Sequence, residues 1–162
     1  MDLYVTYTPI GFIHSPFQSL EKMPIQPSGA LGIPGQVEIL EPYIPALKDL
    51  EGFSHLYLLY HFHKVNDWTP HVIPFLADTP HGLFSTRAPK RPNPLGLSIV
   101  KLNHIQAGIL FIENVDILDG TPLLDIKPYV PVFDHFEVDR IGWLEGLDSG
   151  VTTQRSDQRF KE

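Results

Sequence analysis

The chain contains no cysteine. That absence removes disulfides, zinc–thiolate sites and thiol nucleophiles together, and it suits a cytoplasmic protein. No stretch reaches the roughly 18 uninterrupted apolar residues of a membrane helix. No basic segment followed by a long apolar run marks a secretory leader. G-x-G-x-x-G, Walker and H-E-x-x-H motifs are missing, as is a nucleophile elbow. Basic–aromatic interleaving of the RNA-recognition type is absent too. Neither internal repeats nor heptads occur. Dinucleotide binding on a Rossmann frame, P-loop phosphoryl transfer and zincin hydrolysis therefore have no local signature.

What remains is a chain of 162 residues, 43% hydrophobic, with 16 prolines. That length supports one domain with a real core; we place it at 1–134, followed by a short C-terminal extension, 135–162. Proline denies backbone donors and breaks helices, so short elements joined by stiff turns are expected. The formal net charge is −7, which argues against broad, sequence-blind RNA binding by a single chain. The charge is uneven, however. From Thr86 to Lys101 there is no acidic residue, while Arg87, Lys90, Arg91 and Lys101 are basic. A local field of that kind still serves an anionic partner.

The pattern predicts strands. "IGFIH" alternates, with Gly11 and Ile13 on one face, and Pro16 closes it. Gln18 to Pro34 reads as a loop long enough to be functional. "GQVEIL" alternates again, and a helical turn is expected from Pro45 to Leu50. "SHLYLLYHFH" reads as a buried strand, with a short helix the competing reading of so brief an apolar run. A wet connection spans Lys64 to His81, and "GLFST" reads as a short strand. "GLSIVKLNHI" and "ILFIENVDIL" form a hairpin around a glycine. Asp119–Gly120 starts a tight turn that leads into a last strand, "PLLDIKPYVP". In the tail, "IGWLEGL" reads as a short apolar anchor and the final residues as frayed. Six to eight short strands without crossover helices favour antiparallel pairing. A small closed or nearly closed β-barrel removes the edges; a sandwich is the alternative.

Two stretches carry candidate chemistry. In "STRAPKRPNPLGLS", Pro89, Pro92 and Pro94 pre-set the backbone and hold Ala88, Arg91 and Asn93 extended. A rigid backbone with projecting polar heads suits a binding loop, although a solvated strand exit has the same composition. In "LDGTPLLDIKPYVP", Asp125 and Lys127 share a strand face, either as a ligand-facing pair or as an ordinary surface ion pair. His61 and His63 also share a face if their segment is a strand. Two histidines need a third ligand from elsewhere to hold zinc, so no metal site is expected.

Taken together, "IGFIHSPF", "FSHLYLLYHFH", "STRAPKRPNPLGLSIVKL" and "LDGTPLLDIKPYVP" resemble the signature segments of the TsaA-like (YaeB-like, TrmO) family. The resemblance runs from about Ile10 to Asp134. It implies a β-barrel methyltransferase that uses S-adenosylmethionine as cofactor and forms a homodimer with the cofactor near the subunit junction; the residues themselves predict no membrane or metal partner. Its implied reaction is methylation of N6 of threonylcarbamoyladenosine at position 37 of tRNA. By motif position, Arg87, Arg91, Pro92, Asn93 and Leu97 would line the cofactor pocket, joined by His63, Asp119, Thr121 and Leu123. Lys90, Arg91, Lys127 and Tyr129 would face the substrate, and Asp125 or His63 would take the N6 proton. This chain looks like the short form of the family, because larger bacterial members carry a further C-terminal region. Methylation of another nucleoside or small molecule, or a non-enzymatic dimeric binding module, are the rival functions.

Overall fold

Period-2 alternation decides which face of each strand turns inward. On the strand His55–His61, Leu56, Leu58 and Tyr60 are buried while Tyr57, Leu59 and His61 are partly exposed. The same alternation buries Val37 and Ile39 on one strand and Val100 and Leu102 on another. Such one-sided strands need a closed or covered sheet, and closure is what forms. The computed structural model describes residues 3–25, 27–147 and 155–157. Its strands are β1 (Gly11–His14), β2 (Pro34–Ile39), β3 (His55–His61), β4 (His71–Val72), β5 (His81–Gly82), β6 (Leu95–Gln106), β7 (Ile109–Glu113) and β8 (Thr121–Pro128). Six of them close a barrel in the order β1-β2-β7-β6-β3-β8, every pair antiparallel. The barrel reading is therefore correct and the sandwich is excluded.

The barrel interior is filled by Ile13, Val37, Leu56, Leu58, Val100, Leu110, Ile112, Val115, Ile117 and Leu123. Two register shifts, between Leu59 and Tyr60 and between Leu102 and His104, give β3–β8 and β6–β7 the extra bend that closure requires. The β6–β7 hairpin turns at Ala107 (φ 50°) and Gly108 (φ 79°). Both central residues are left-handed, the geometry that matches strand twist.

Outside the barrel, a second small cluster joins Val72, Leu83 and Ala88, with Phe75 packed on it. It ties the two-stranded β4–β5 sheet, through Val72, to the basic loop, through Ala88. The expected strand "GLFST" is corrected here: only Gly82 belongs to a strand, and Leu83–Ser85 is a 3-10 turn. The cause is hydroxyl chemistry. Ser85 Oγ donates to the Gly82 carbonyl (2.7 Å) and Thr86 Oγ1 to the Leu83 carbonyl (2.8 Å), so side chains take acceptors a ladder would have used. The turn expected at Pro45–Leu50 is likewise displaced. It forms as 3-10 segments at Glu41–Leu47 and Leu50–Gly52, separated by Asp49 at φ 67°.

After β8, a single helical turn, α1 (Pro131–Asp134), leads to the tail. Trp143 anchors that tail by donating from Nε1 to the Ser85 carbonyl (2.8 Å) and stacking on His81 at 4.6 Å. Farther on, Arg155 bridges Pro24, and Ser156 donates its amide to the Met23 carbonyl (2.8 Å) while its own carbonyl accepts from the Lys22 amide (2.9 Å). The fraying expected of the final residues lies outside the described ones.

The fold generates one stability prediction. Leu58 is fully buried at the barrel centre, whereas Leu97 is 57% exposed. Urea unfolding should show Leu58→Ala losing about 2 to 5 kcal/mol and Leu97→Ala within about 0.5 kcal/mol of the parent. Equal losses would mean that the barrel interior does not hold the fold.

Candidate active site

The site begins with two segments that leave the same end of the barrel. The basic loop, residues 86–95, enters β6, and the turn at 118–121 enters β8. Both strands pair with β3, whose C-terminal end carries Tyr60, Phe62 and His63. Between them lies a cavity of about 380 Å³. Arg87, Arg91, Leu97, Thr121 and His63 all line it. Five of the residues singled out by sequence thus meet in one place, drawn from three separate motifs. Leu20, Met23, Pro24 and Ile25 of the long early loop form another wall, together with Ser156 and Asp157 from the tail.

The loop is braced from within. Arg91 donates from Nη1 to the carbonyls of Thr86 (2.9 Å) and Ala88 (3.2 Å), with that of Leu83 at 3.4 Å. Its guanidinium carbon lies 5.6 Å from the centre of the Phe84 ring, within cation–π range. Backbone bonds from Arg91 to the Pro89 carbonyl and from Leu95 to the Asn93 carbonyl, both 2.8 Å, close two three-residue turns. Lys90 is tied to Asp67 at 3.1 Å. Pro92 and Asn93 sit exposed at the tip and are not among the cavity-lining residues.

Of the turn and β8 residues named by sequence, Thr121 alone lines the cavity. Thr121 is buried and donates to the Leu118 carbonyl (2.7 Å), locking the turn. Asp119 holds that turn to β1 by accepting from the Ser15 amide (3.0 Å). That bond leads the influences that keep its carboxyl below the usual range. Leu123 is fully buried in the barrel core. Asp125, Lys127 and Tyr129 follow β8 away from the cavity. At about 3.3 Å per residue, Asp125 is roughly 13 Å along the strand from Thr121, and Tyr129 is twice as far. Asp125 Oδ2 pairs with Lys127 Nζ at 2.8 Å on the partly exposed outer face, and Tyr129 packs edge-on to Tyr57. Within one chain these three do not share a site with His63.

Sequence reasoning missed Asp116. It lies between buried Val115 and Ile117 and lines the cavity. Ser98 Oγ donates to Asp116 Oδ1 (2.7 Å), so the Tyr60 hydroxyl must donate to Ser98 Oγ (2.9 Å). Burial raises the Asp116 pKa to about 6, against the opposing pull of Ser98, its own amide and Arg87. Burial also raises that of Tyr60, which stays a donor. His63 is pushed the other way, below its ordinary value, by burial and by the Lys64 charge. Gly96 makes the floor possible: a Cβ there would lie 2.1 Å from the Tyr60 ring. Ile117 and Leu118 supply apolar wall.

Comparisons place this geometry. The model of the tRNA-methyltransferase O N-terminal domain matches residues 12–135. The chain belongs to the tRNA-methyltransferase O family. A probable S-adenosyl-L-methionine-binding protein of Pyrococcus abyssi is 51% identical over 160 residues, covering 99% of this chain and 87% of that one. The tRNA (adenine(37)-N6)-methyltransferase of Escherichia coli is 39% identical over 132 residues, with 75% of this chain and 56% of that protein covered. The crystal structure of TrmO from Pseudomonas aeruginosa superposes with a TM-score of 0.73 at 39% identity. That match covers 87% of this chain but only 63% of the TrmO chain. In this chain the barrel end carries the cavity.

The half-buried Asp116 carboxyl predicts a stability signature. Its folded pKa, about 6, exceeds the ordinary 3.8, so the folded state holds the proton more tightly. Wild-type stability therefore falls as pH rises from about 4 to 6. Asp116→Asn escapes that loss and should gain on wild type through this window, by about 3 kcal/mol in total, then keep a constant lead. Urea unfolding of both proteins from pH 4 to 7.5 measures it; a pH-independent difference would contradict the buried charge.

Proposed function

We propose that this protein is an S-adenosylmethionine-dependent methyltransferase that acts on N6 of adenosine 37 in tRNA, with threonylcarbamoyladenosine as the acceptor. The carrying observation is that one cavity gathers residues of three of the four family segments at the barrel end. The cavity fits the methyl donor. Its volume is within the roughly 300–1,000 Å³ of small-molecule sites. Phe62, Leu97, Ile117 and Leu118 offer apolar faces for a purine.

S-adenosylmethionine, consumed in each turnover, brings an electrophilic methyl group on a sulfonium. The chain's own residues do the positioning, which dominates a displacement that needs three atoms in line. Arg91 keeps the loop rigid by holding its carbonyls, and Thr121 keeps the facing turn closed. Arg87 presents a cation at the cavity for a phosphate or for the acceptor's threonyl carboxylate. The exposed tip, with Pro92 and Asn93, faces the incoming nucleic acid.

A homodimer is part of this reading. Val132, Phe133, Phe136 and Val138 are 68–87% exposed on one short segment after β8. Leu95 and Leu97, beside the cavity, are exposed as well. A concentration of apolar side chains of this kind marks an interface. Across such an interface Asp125, Lys127 and Tyr129 reach a partner's site that they cannot reach in their own chain.

The test combines calorimetric titration with S-adenosylmethionine and mass spectrometry of tRNA nucleosides from a deletion strain, with and without the protein restored. Donor binding and a restored N6-methyl mark are expected. Binding without the mark would favour another acceptor, and neither would favour a binding module. Arg91→Ala should weaken donor affinity about tenfold by loosening the loop, while the urea midpoint of the barrel stays near wild type. Unchanged affinity would remove the loop from donor binding.

A further inference from the structure

We infer that Asp116, oriented by Ser98 and Tyr60 on the cavity wall, is the group that takes the N6 proton when the methyl is transferred. The inference rests on the methyl-transfer reading above and assigns a residue that none of the recognised motif roles included. Three observations carry it.

The first is position. Asp116 lines the same cavity as Arg87, Leu118 and Thr121, whereas Asp125 lies along β8 in an ion pair with Lys127. The second is orientation. The carboxylate is held at Oδ1 by Ser98, and Ser98 by the Tyr60 hydroxyl, whose ring is fixed against Gly96. A relay of three groups from β6, β3 and the segment after β7 is more than a fold needs at a barrel end. Replacing it with apolar side chains would avoid burying a carboxylate. The third is basicity. Burial raises the carboxyl to about 6, so at pH 7.5 it is ionised yet a better base than an exposed aspartate. The charged and titratable groups facing it are Arg87 from the loop and Tyr60 from β3; His63, Lys64, Arg91 and Asp157 share the cavity.

The acceptor suits a weak base. N6 of threonylcarbamoyladenosine sits between a purine and a carbonyl, which acidifies its hydrogen. In the step, the N6–H bond breaks and its proton goes to an Asp116 oxygen. The nitrogen electron pair forms the N–CH₃ bond. The carbon–sulfur pair stays on sulfur, which becomes a neutral thioether. Asp116 then releases the proton to water through the cavity mouth.

The experiment compares wild type, Asp116→Asn, Ser98→Ala and His63→Asn. Single-turnover methylation of tRNA is followed with saturating donor from pH 5 to 8.5, alongside donor affinity by calorimetry. A ¹³C NMR titration of the Asp116 carboxyl in the protein alone gives a readout independent of activity. The carboxyl should titrate near 6. The wild-type rate should rise with pH to a plateau, with its midpoint at or below that value because the bound sulfonium favours the carboxylate. Asp116→Asn should lose at least about a hundredfold in rate together with the acidic limb, while donor affinity changes less than about threefold. Ser98→Ala should move the midpoint upward, because it removes a bond that favours the carboxylate.

A carboxyl titrating near 4, an Asp116→Asn rate close to wild type, or an acidic limb abolished by His63→Asn instead would each overturn the assignment. A loss of donor affinity in Asp116→Asn without a loss of rate would make Asp116 a binding group and overturn it as well. Wild-type protein that neither binds the donor nor methylates tRNA would sink the methyl-transfer reading itself. That outcome is distinct from an active enzyme indifferent to Asp116.

Discussion

The double pairing of β3 organises everything else. β3 runs antiparallel to both β6 and β8, so the ends of those neighbours beside its C-terminus are their beginnings. The basic loop precedes β6 and the aspartate turn precedes β8. Two stretches separated by more than twenty residues are therefore delivered to one rim by hydrogen-bond geometry alone. The third contributor, Tyr60–Phe62–His63, is the end of β3 itself. No helix dipole or glycine-rich phosphate loop is involved, which is why a search for nucleotide-binding motifs finds nothing here.

The rim is polar where a stability argument would make it apolar. Along β3 and β6 the inward positions run Leu56, Leu58, Tyr60 and Val100, Ser98, Gly96. Toward the cavity the barrel thus exchanges aliphatic packing for a hydroxyl pair that ends on Asp116. Each polar atom in that series has a partner, and among the described residues no buried side-chain polar atom lacks one. The network is satisfied but not inexpensive, since the carboxyl is held where its charged form is disfavoured. Local cost at a site and satisfied hydrogen bonding around it are what a pre-organised chemical centre requires.

Much of this was legible beforehand, for identifiable reasons. Alternation over "GQVEIL" and "SHLYLLYHFH" reports side-chain direction directly, so the strands and their buried faces were readable. Proline spacing in "APKRPNP" announced a rigid loop. Asp116 was not readable, because a single aspartate between Val115 and Ile117 looks like any outward residue of an alternating strand. Only the end of pairing at Glu113, with Asn114 at φ 68°, lets it turn over the barrel end. Asp125, Lys127 and Tyr129 failed as cavity residues for the opposite reason. A shared motif implies a shared site only if the chain turns back, and β8 runs on past its bulge, away from the cavity. "GLFST" has strand composition, but two hydroxyls claim the carbonyls locally. The tail residues Ser156 and Asp157 carry no signal that they return to Met23.

The acidic total and the basic loop are reconciled by counting what the cations already do. Arg91 gives its donors to loop carbonyls, Lys90 faces Asp67 and Lys101 faces Glu113, so most of the apparent patch is structural cement. Long-range attraction of tRNA to a chain of net charge −7 must be weak, and each phosphate contact contributes less as salt rises. Recognition then depends on short-range fit at the rim. Under the proposed function, a rigid loop tip would meet an unstacked anticodon-loop base there without having to order itself first. A stiff loop is the economical solution for a protein that cannot rely on bulk charge. The prolines that looked like a solvated strand exit are, on this view, what allows an acidic barrel to hold an anionic substrate at all.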